Sequence, residues 1–485
     1  VRASLAIVLA VVAALAGCAS PTPPTVPTPN APVARVLWAP DCSVADPAGN
    51  WTEPCLARAG ADASPSDTQV GVAADPADAR AAVAVARELA ANASGCAWIT
   101  ARATADGGRS WRSSAVGGEP ASRVPGDALY GWSCAIDPAA TFGKDGAAHV
   151  SFLAYGLSPG APRPAAPVGL GGAVGSEVVM ASSTDGGASW PSFVTLHVDQ
   201  AGSVLHDGLL VASSPSSGTT FTAWNSVSQG VELATLVAVR AGGAAPQPPV
   251  ALAVPTEPGG AGATALMVAG DGTVLVALQA GANVYLASSS DDGATFGAPV
   301  RIFAVTPIAT PLPNASFPVA TIVRASVDRS GSATRGCVVA VWADGAEGPG
   351  RAEVLSRHSC DKGASWSAPA RVERDDAPAD HWMPGVAVGG DGTVHVAYLT
   401  RAYDPAHRLA DAEYAYSRDA GVTWTTKRLT ARPFDPDLGR DEGGSPSLGL
   451  ALGVDAQGPD RAYAALPDAE TGACQVAVAA LIRSG

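Results

Sequence analysis

Charge is scarce in this chain. Asp, Glu, Lys and Arg together make up 15% of 485 residues, and 44 acidic residues outnumber 30 basic ones to leave a net charge of −14. So few basic residues argue against nucleic acid, whose binders cluster Lys and Arg to neutralise phosphates, and offer nothing to an anionic lipid surface. The seven histidines, His149, His197, His206, His358, His381, His395 and His407, are scattered, with no HExxH or CxxC spacing, so no metal site is expected. A GxSxG elbow, a Walker loop and a dinucleotide fingerprint are all missing, and no cofactor is expected.

The apolar run over residues 3–16, behind Arg2, is too short for a permanent bilayer span and has the shape of a secretory signal. It ends Leu15-Ala16-Gly17-Cys18, which resembles the bacterial lipobox and implies that Cys18 is the lipidated first residue of an exported protein anchored to the cell envelope. Residues 19–33 are rich in Pro and Thr and read as an extended spacer. The division expected is therefore a signal over 1–18, a linker over 19–33 and one large domain over 34–485. High Gly and Pro, at 54 and 40 residues, suits many short strands joined by turns.

One eight-residue pattern, Ser/Thr-x-Asp-x-Gly-x-x-Trp/Phe, occurs five times, at Thr104–Trp111, Ser183–Trp190, Ser289–Phe296, Ser359–Trp366 and Ser417–Trp424. Such recurrence signals a repeat architecture, in which each unit buries its apolar face against its neighbours. The pattern resembles the Asp box, or BNR repeat, of bacterial sialidases and their relatives. That resemblance implies an all-β propeller of four-stranded blades, with each box closing the turn between third and fourth strands. Asp106, Asp185, Asp291, Asp361 and Asp419 then serve as structural acceptors of backbone N–H groups, the glycines permit positive φ, and the aromatic residues wedge between blades.

Aligning GDGT-type turns and boxes gives full blades at about 68–116, 132–198, 264–303, 316–373 and 382–429. Residues 209–239 supply strands without a box, and three more strands follow residue 448. The count expected is seven blades, with six as the alternative, the last closed by an N-terminal strand at Val33–Ala39. Eight cysteines in an exported chain suggest disulfides. The strand assignment places Cys337 with Cys360 and Cys96 with Cys134, while Cys42 has either Cys474 or Cys55 as partner.

A sialidase-like activity implies three arginines, an Asp acid and a Tyr–Glu pair. The nearest arginine motif here, Ser122-Arg123-Val124-Pro125, follows the first box, whereas the family's precedes it. Asp207, Asp380, Glu442 and Tyr463 are the candidate catalytic residues. Loops at the mouth opposite the boxes bring together a candidate ligand set: His206, Asp207, Arg351, Asp380, His381, Trp382, Arg401, Tyr403 and Glu442, with Trp382 and Tyr403 as stacking surfaces. The function expected is a membrane-anchored extracytoplasmic module that binds a cell-envelope glycan or protein. The alternative is an exo-acting glycosidase of the sialidase type.

Overall fold

The computed structural model describes residues 33–35, 55–58 and 67–482, except for 90–96, 109, 119–126, 131, 133, 158–172, 200–204, 229–230, 241–244, 253–260, 375–377, 431–432, 440–445, 450–451, 458–460 and 469–474. Cys18, Cys42, Cys96, Cys474, Arg123 and Glu442 fall outside the described residues. What is described is all-β, with one 3-10 turn at Pro436–Leu438 and no α-helix.

Five blades are each built from four consecutive antiparallel strands. Blade B holds Cys134–Phe142, Ala148–Leu157, Ala173–Ser183 and Ser192–Asp199, and blade C holds Leu205–Ser213, Thr220–Ser228, Val231–Arg240 and Val250–Leu252. Blade D holds Ala261–Val268, Val274–Ala280, Asn283–Ser289 and Val300–Ala304. Blade E holds Arg324–Val327, Val338–Asp344, Glu353–Ser359 and Ala370–Arg371, and blade F holds His381–Val388, Val394–Thr400, Asp411–Ser417 and Thr425–Arg428.

Two further sheets borrow strands from the N-terminal region. Sheet A combines Asp67–Ala74, Ala82–Leu89, Ala97–Thr104 and Trp111–Ala115 with Val33–Arg35 at its outer edge, where Val33 pairs with Ser113. Sheet G combines Gly453–Asp455, Arg461–Asp468 and Gln475–Ile482 with Cys55–Arg58, and Cys55 pairs with Ala480. The strand expected to complete the last sheet, Val33–Ala39, is thus misplaced by about two dozen residues. Both N-terminal segments do the same physical job, because each covers the unpaired N–H and C=O groups of an edge strand. Each first strand lies beside the first strand of the next sheet, from A through G, and that of G returns to that of A.

Alternation within each strand feeds two interfaces at once. In Ala82–Leu89, Val83 and Val85 face a cluster shared with Val150, Phe152 and Val179 of blade B, while Ala82, Ala84 and Ala86 face Tyr463 and Ala465 of sheet G. The core is therefore a series of apolar layers between sheets.

The boxes show why the pattern takes its form. In the second, Ser183 donates to Asp185 Oδ1 at 2.7 Å and accepts from the Gly187 N–H, while the N–H and hydroxyl of Ser189 donate to Oδ1 and Oδ2. The same bonds recur at Thr104, Ser289, Ser359 and Ser417. The seventh position always carries a hydroxyl: Ser110, Ser189, Thr295, Ser365 and Thr423 each donate to the box carboxylate. Gly187 lies at φ 90°, and a Cβ there would meet Val83 of sheet A at 2.9 Å. Trp190 donates its indole N–H to Ser114 of the same sheet, and Trp424 donates to Ser356 of blade E, so these boxes fasten one sheet to its predecessor.

Cys337 and Cys360 are disulfide-bonded with Cα atoms 4.0 Å apart, at the same end of adjacent strands of blade E, as expected. Cys134 is also disulfide-bonded.

Candidate functional site

Each box follows a third strand, and that end of the sheet is also where the first strand turns into the second, as Val268 pairs with Val274 and Val274 with Ser289. The beginnings of the first strands therefore gather at the opposite end, around a cavity of about 730 Å³ on the axis of the ring. Five of these strands break register near their start, at Thr68/Val70, Ile136/Ala139, Asp207/Leu210, Ala263/Ala265 and Trp382/Gly385. A bulge bends a strand and re-aims its side chains, and three of these bulges hold a residue at positive φ: Asp137 at 54°, Gly208 at 65° and Met383 at 55°.

The wall has two unlike halves. On the side of blade F and sheets G and A the backbones meet almost directly: a Cβ on Gly453 would lie 2.8 Å from Val72 N, and one on Gly385 would lie 2.7 Å from Leu452 O. From blade B to blade E the wall adds an arc of polar groups, set among Gly208, Gly262, Gly281 and apolar side chains. The Gly208 N–H donates to Asp137 Oδ2 at 3.2 Å and to Asp207 Oδ1 at 2.7 Å. Asn225 then accepts the Ala263 N–H at 2.8 Å through Oδ1, and the neighbouring Thr264 carbonyl accepts from Arg324 Nη1 at 3.0 Å. Asp137, Asp207, Asn225, Thr264 and Arg324 all line the cavity.

The charges in this arc are unusual. Burial pushes Asp137 well above the usual carboxylate range, and the charge and hydrogen bond of Asp207 add to that push, against the opposing effects of Arg87 and the Gly208 N–H. Burial lowers Arg324 to about 10, and no carboxylate among the described residues forms an ion pair with it. The mouth can thus offer a carboxyl pair, an amide, a hydroxyl and an uncompensated guanidinium to one bound molecule.

No family profile matches the chain, and no curated protein matches it. Solved structures do. The chain is similar to a protein of unknown function from Dyadobacter fermentans, at 14% identity over 87% of this chain and 95% of that one, with a TM-score of 0.43. It is similar to the intramolecular trans-sialidase of Ruminococcus gnavus, at 14% identity over 77% and 96%, with a TM-score of 0.46. A polysaccharide lyase, an ulvan lyase, aligns at 11% identity over 86% and 95%, with a TM-score of 0.48. None of these likenesses carries an argument about ligand or chemistry, and the propeller itself is read from the pairing of the strands.

Of the described residues singled out from sequence, only Asp207 lines the cavity. His206 is 2% exposed, with its ring between His197 and Trp224; burial, aided by His197, lowers it to about 4 and keeps it neutral. Asp380, His381, Trp382 and Arg401 form a packed layer and no open rim. Trp382 is fully buried against Phe317, Arg401 lies over its ring and donates to Pro313 O at 2.6 Å, and Asp380 accepts the Ala352 N–H. The cause is the segment 305–323 between blades D and E, which folds over these residues and closes them from solvent. His381 packs on Tyr398. Arg351 is exposed in a turn away from the cavity, and Tyr403 is 41% exposed on a rim loop with Arg428 over its ring.

Tyr463 stands at the wrong end for chemistry in the cavity. It is buried edge-on against Trp111, its hydroxyl donates to Ala79 O at 2.9 Å, and burial raises its pKa, while the nearby Arg461 binds the first box through Gly107 O. Sequence reasoning missed Asp137, Asn225, Thr264 and Arg324. A usable signal existed for the first of them: Asp137-Pro138, Gly208-Leu209 and Met383-Pro384 occupy matching places near the starts of three first strands.

Proposed function

We propose that this protein is an exported propeller, held to the envelope through a lipid on Cys18, that binds a glycan at the mouth of its axial cavity without cleaving it. We take sheets A and G to complete a ring of seven blades with the five regular ones. The observation that carries the binding reading is the polar arc from Asp137 to Arg324, which lines about 730 Å³ of space on the axis. Concave space with a few convergent polar groups is the usual form of a small-ligand site. A sialidase-type reaction needs its tyrosine at this mouth, and the tyrosine candidate packs against Trp111 at the box end instead.

The test is a screen of glycans and envelope fractions, in which Asp207→Ala loses binding with little change in Tm and a fluorogenic sialoside is not turned over. Binding that survives both Asp207→Ala and Arg324→Met removes the cavity as the site. Robust turnover of the sialoside favours the glycosidase. The anchoring part predicts recovery with membranes and release by Cys18→Ser; wild type found wholly in the soluble fraction counts against it.

A further inference from the structure

The Asp137 and Asp207 carboxyls meet where the first strands of blades B and C adjoin. One N–H, from Gly208, donates to an oxygen of each, at 3.2 Å and 2.7 Å, so both carboxyl groups crowd a single donor. Two ionised carboxylates around one N–H would repel each other, so this arrangement favours a proton on the pair. Backbone shape fixes it: Asp137 sits at the left-handed position of its bulge and is 8% exposed, while Asp207 opens onto the cavity. A second observation points to a ligand. Thr264, 9% exposed and lining the same cavity, has a hydroxyl with no hydrogen-bond partner among the described residues. A buried hydroxyl left unsatisfied in the free protein gains a bond when a ligand supplies one.

We propose that Asp137 and Asp207 hold a single proton between them and, together with the Thr264 hydroxyl, recognise adjacent hydroxyl groups of a neutral saccharide. This rests on the glycan-binding reading above and names the chemistry of its ligand. A pair with one proton is donor and acceptor at once, which matches two neighbouring hydroxyls, whereas a fully ionised pair only accepts. The charged groups facing the pair are Arg87, from the second strand of sheet A, and Arg324, beyond Thr264; His206, next in the chain, turns its ring to His197 and Trp224. Arg87 opposes retention of the proton, and burial with the neighbouring carboxylate favours it. Affinity therefore holds at low pH and falls as rising pH removes the shared proton.

The experiment has one arm that needs no ligand. Infrared spectroscopy of the whole domain at pH 7 should show the C=O band of a protonated carboxyl that is absent in Asp137→Asn and shifted in frequency in Asp207→Asn, a change at an exposed residue that leaves folding intact. No such band at pH 7 in the wild type overturns the shared proton. In the second arm, saturation-transfer NMR with maltotriose and cellotriose as neutral probes should detect binding that weakens about tenfold or more in Asp207→Ala, as for loss of a hydrogen bond to a charged group, and that declines with pH as the band disappears. Silence from both sugars at every pH, or binding indifferent to Asp207→Ala, overturns the recognition of hydroxyls. If the band is present while the sugars are silent, the shared proton stands and the glycan-binding reading falls. Calcium binding by calorimetry that vanishes in Asp207→Asn assigns the pair to a cation and overturns the proposal.

Discussion

The two ends of this propeller use aspartate in opposite ways. At the box end each carboxylate is wrapped by donors and holds a turn. Asp291 is drawn to about 2, first by the Thr295 hydroxyl, and Asp361 to about 2, first by that of Ser365. At Asp185 and Asp419 burial pushes upward, yet the bonds from Ser189 and Thr423 outweigh it and the net shift is downward. At the mouth Asp137 has one backbone donor and a second carboxyl against it, and its shift is upward. The balance of donors against burial decides the sign: the little-buried box carboxylates are held down by their donors, whereas burial raises Asp137 and also Asp455, despite its donors from Ala74, Ala456 and Gln457.

The strongest break of this comparison is Asp419→Ala against Asp207→Ala. Asp419 accepts from the Ser417 hydroxyl, the N–H groups of Val422 and Thr423, and the Thr423 hydroxyl, so its loss strands several donors in one turn. Thermal or denaturant unfolding should show a loss of about 1–3 kcal/mol for Asp419→Ala, and about 0.5 kcal/mol or less for the exposed Asp207. Equal losses at the two positions would erase the distinction between scaffold and site.

A smaller effect sharpens it. The hydroxyl at the seventh box position bonds only the outer carboxylate oxygen, so Thr423→Val keeps the shape and removes one bond. The expected cost is about 1 kcal/mol, less than for Asp419→Ala, and the ring stays closed. If the variant is as stable as the wild type by denaturant titration, the recurrence of Ser or Thr at that position has no energetic basis in the box.

How much of this was legible in the sequence follows from how local each feature is. A box is made of residues within eight positions of one another, so its Asp, Gly and aromatic residue could be read directly; even so, the seventh-position hydroxyl passed as a free position. Cys337 and Cys360 could be paired because strand direction sets which end of a strand each occupies. The mouth is different, because Asp137, Asp207, Thr264 and Arg324 come from four sheets and converge through bulges that leave only a weak mark in the chain. Asp380-His381-Trp382 and Arg401 looked like a polar rim with an aromatic platform. They are buried because residues 305–323 lie over them, with Phe317 on Trp382 and the Pro313 carbonyl on Arg401. Nothing near residue 380 in the sequence announces a cover that comes from residues 305–323, well upstream.

The smallest expected effect is on the pH profile of stability, where the two ends should pull in opposite directions. A carboxyl whose pKa is lowered on folding stabilises the native state above its unfolded value, near 4, and loses that contribution as pH falls toward the folded value. For Asp291 and Asp361 the window therefore runs from about 4 down to about 2. Asp137 is raised, so its contribution is complete below its unfolded value and fades as pH climbs toward the folded one. Chemical denaturation across pH should thus show Asp291→Asn flattening only the acid limb and Asp137→Asn flattening only the limb above about pH 4. Were Asp137→Asn to alter the acid limb instead, its carboxyl would be ionised in the folded protein, and the mouth would be held together as the boxes are.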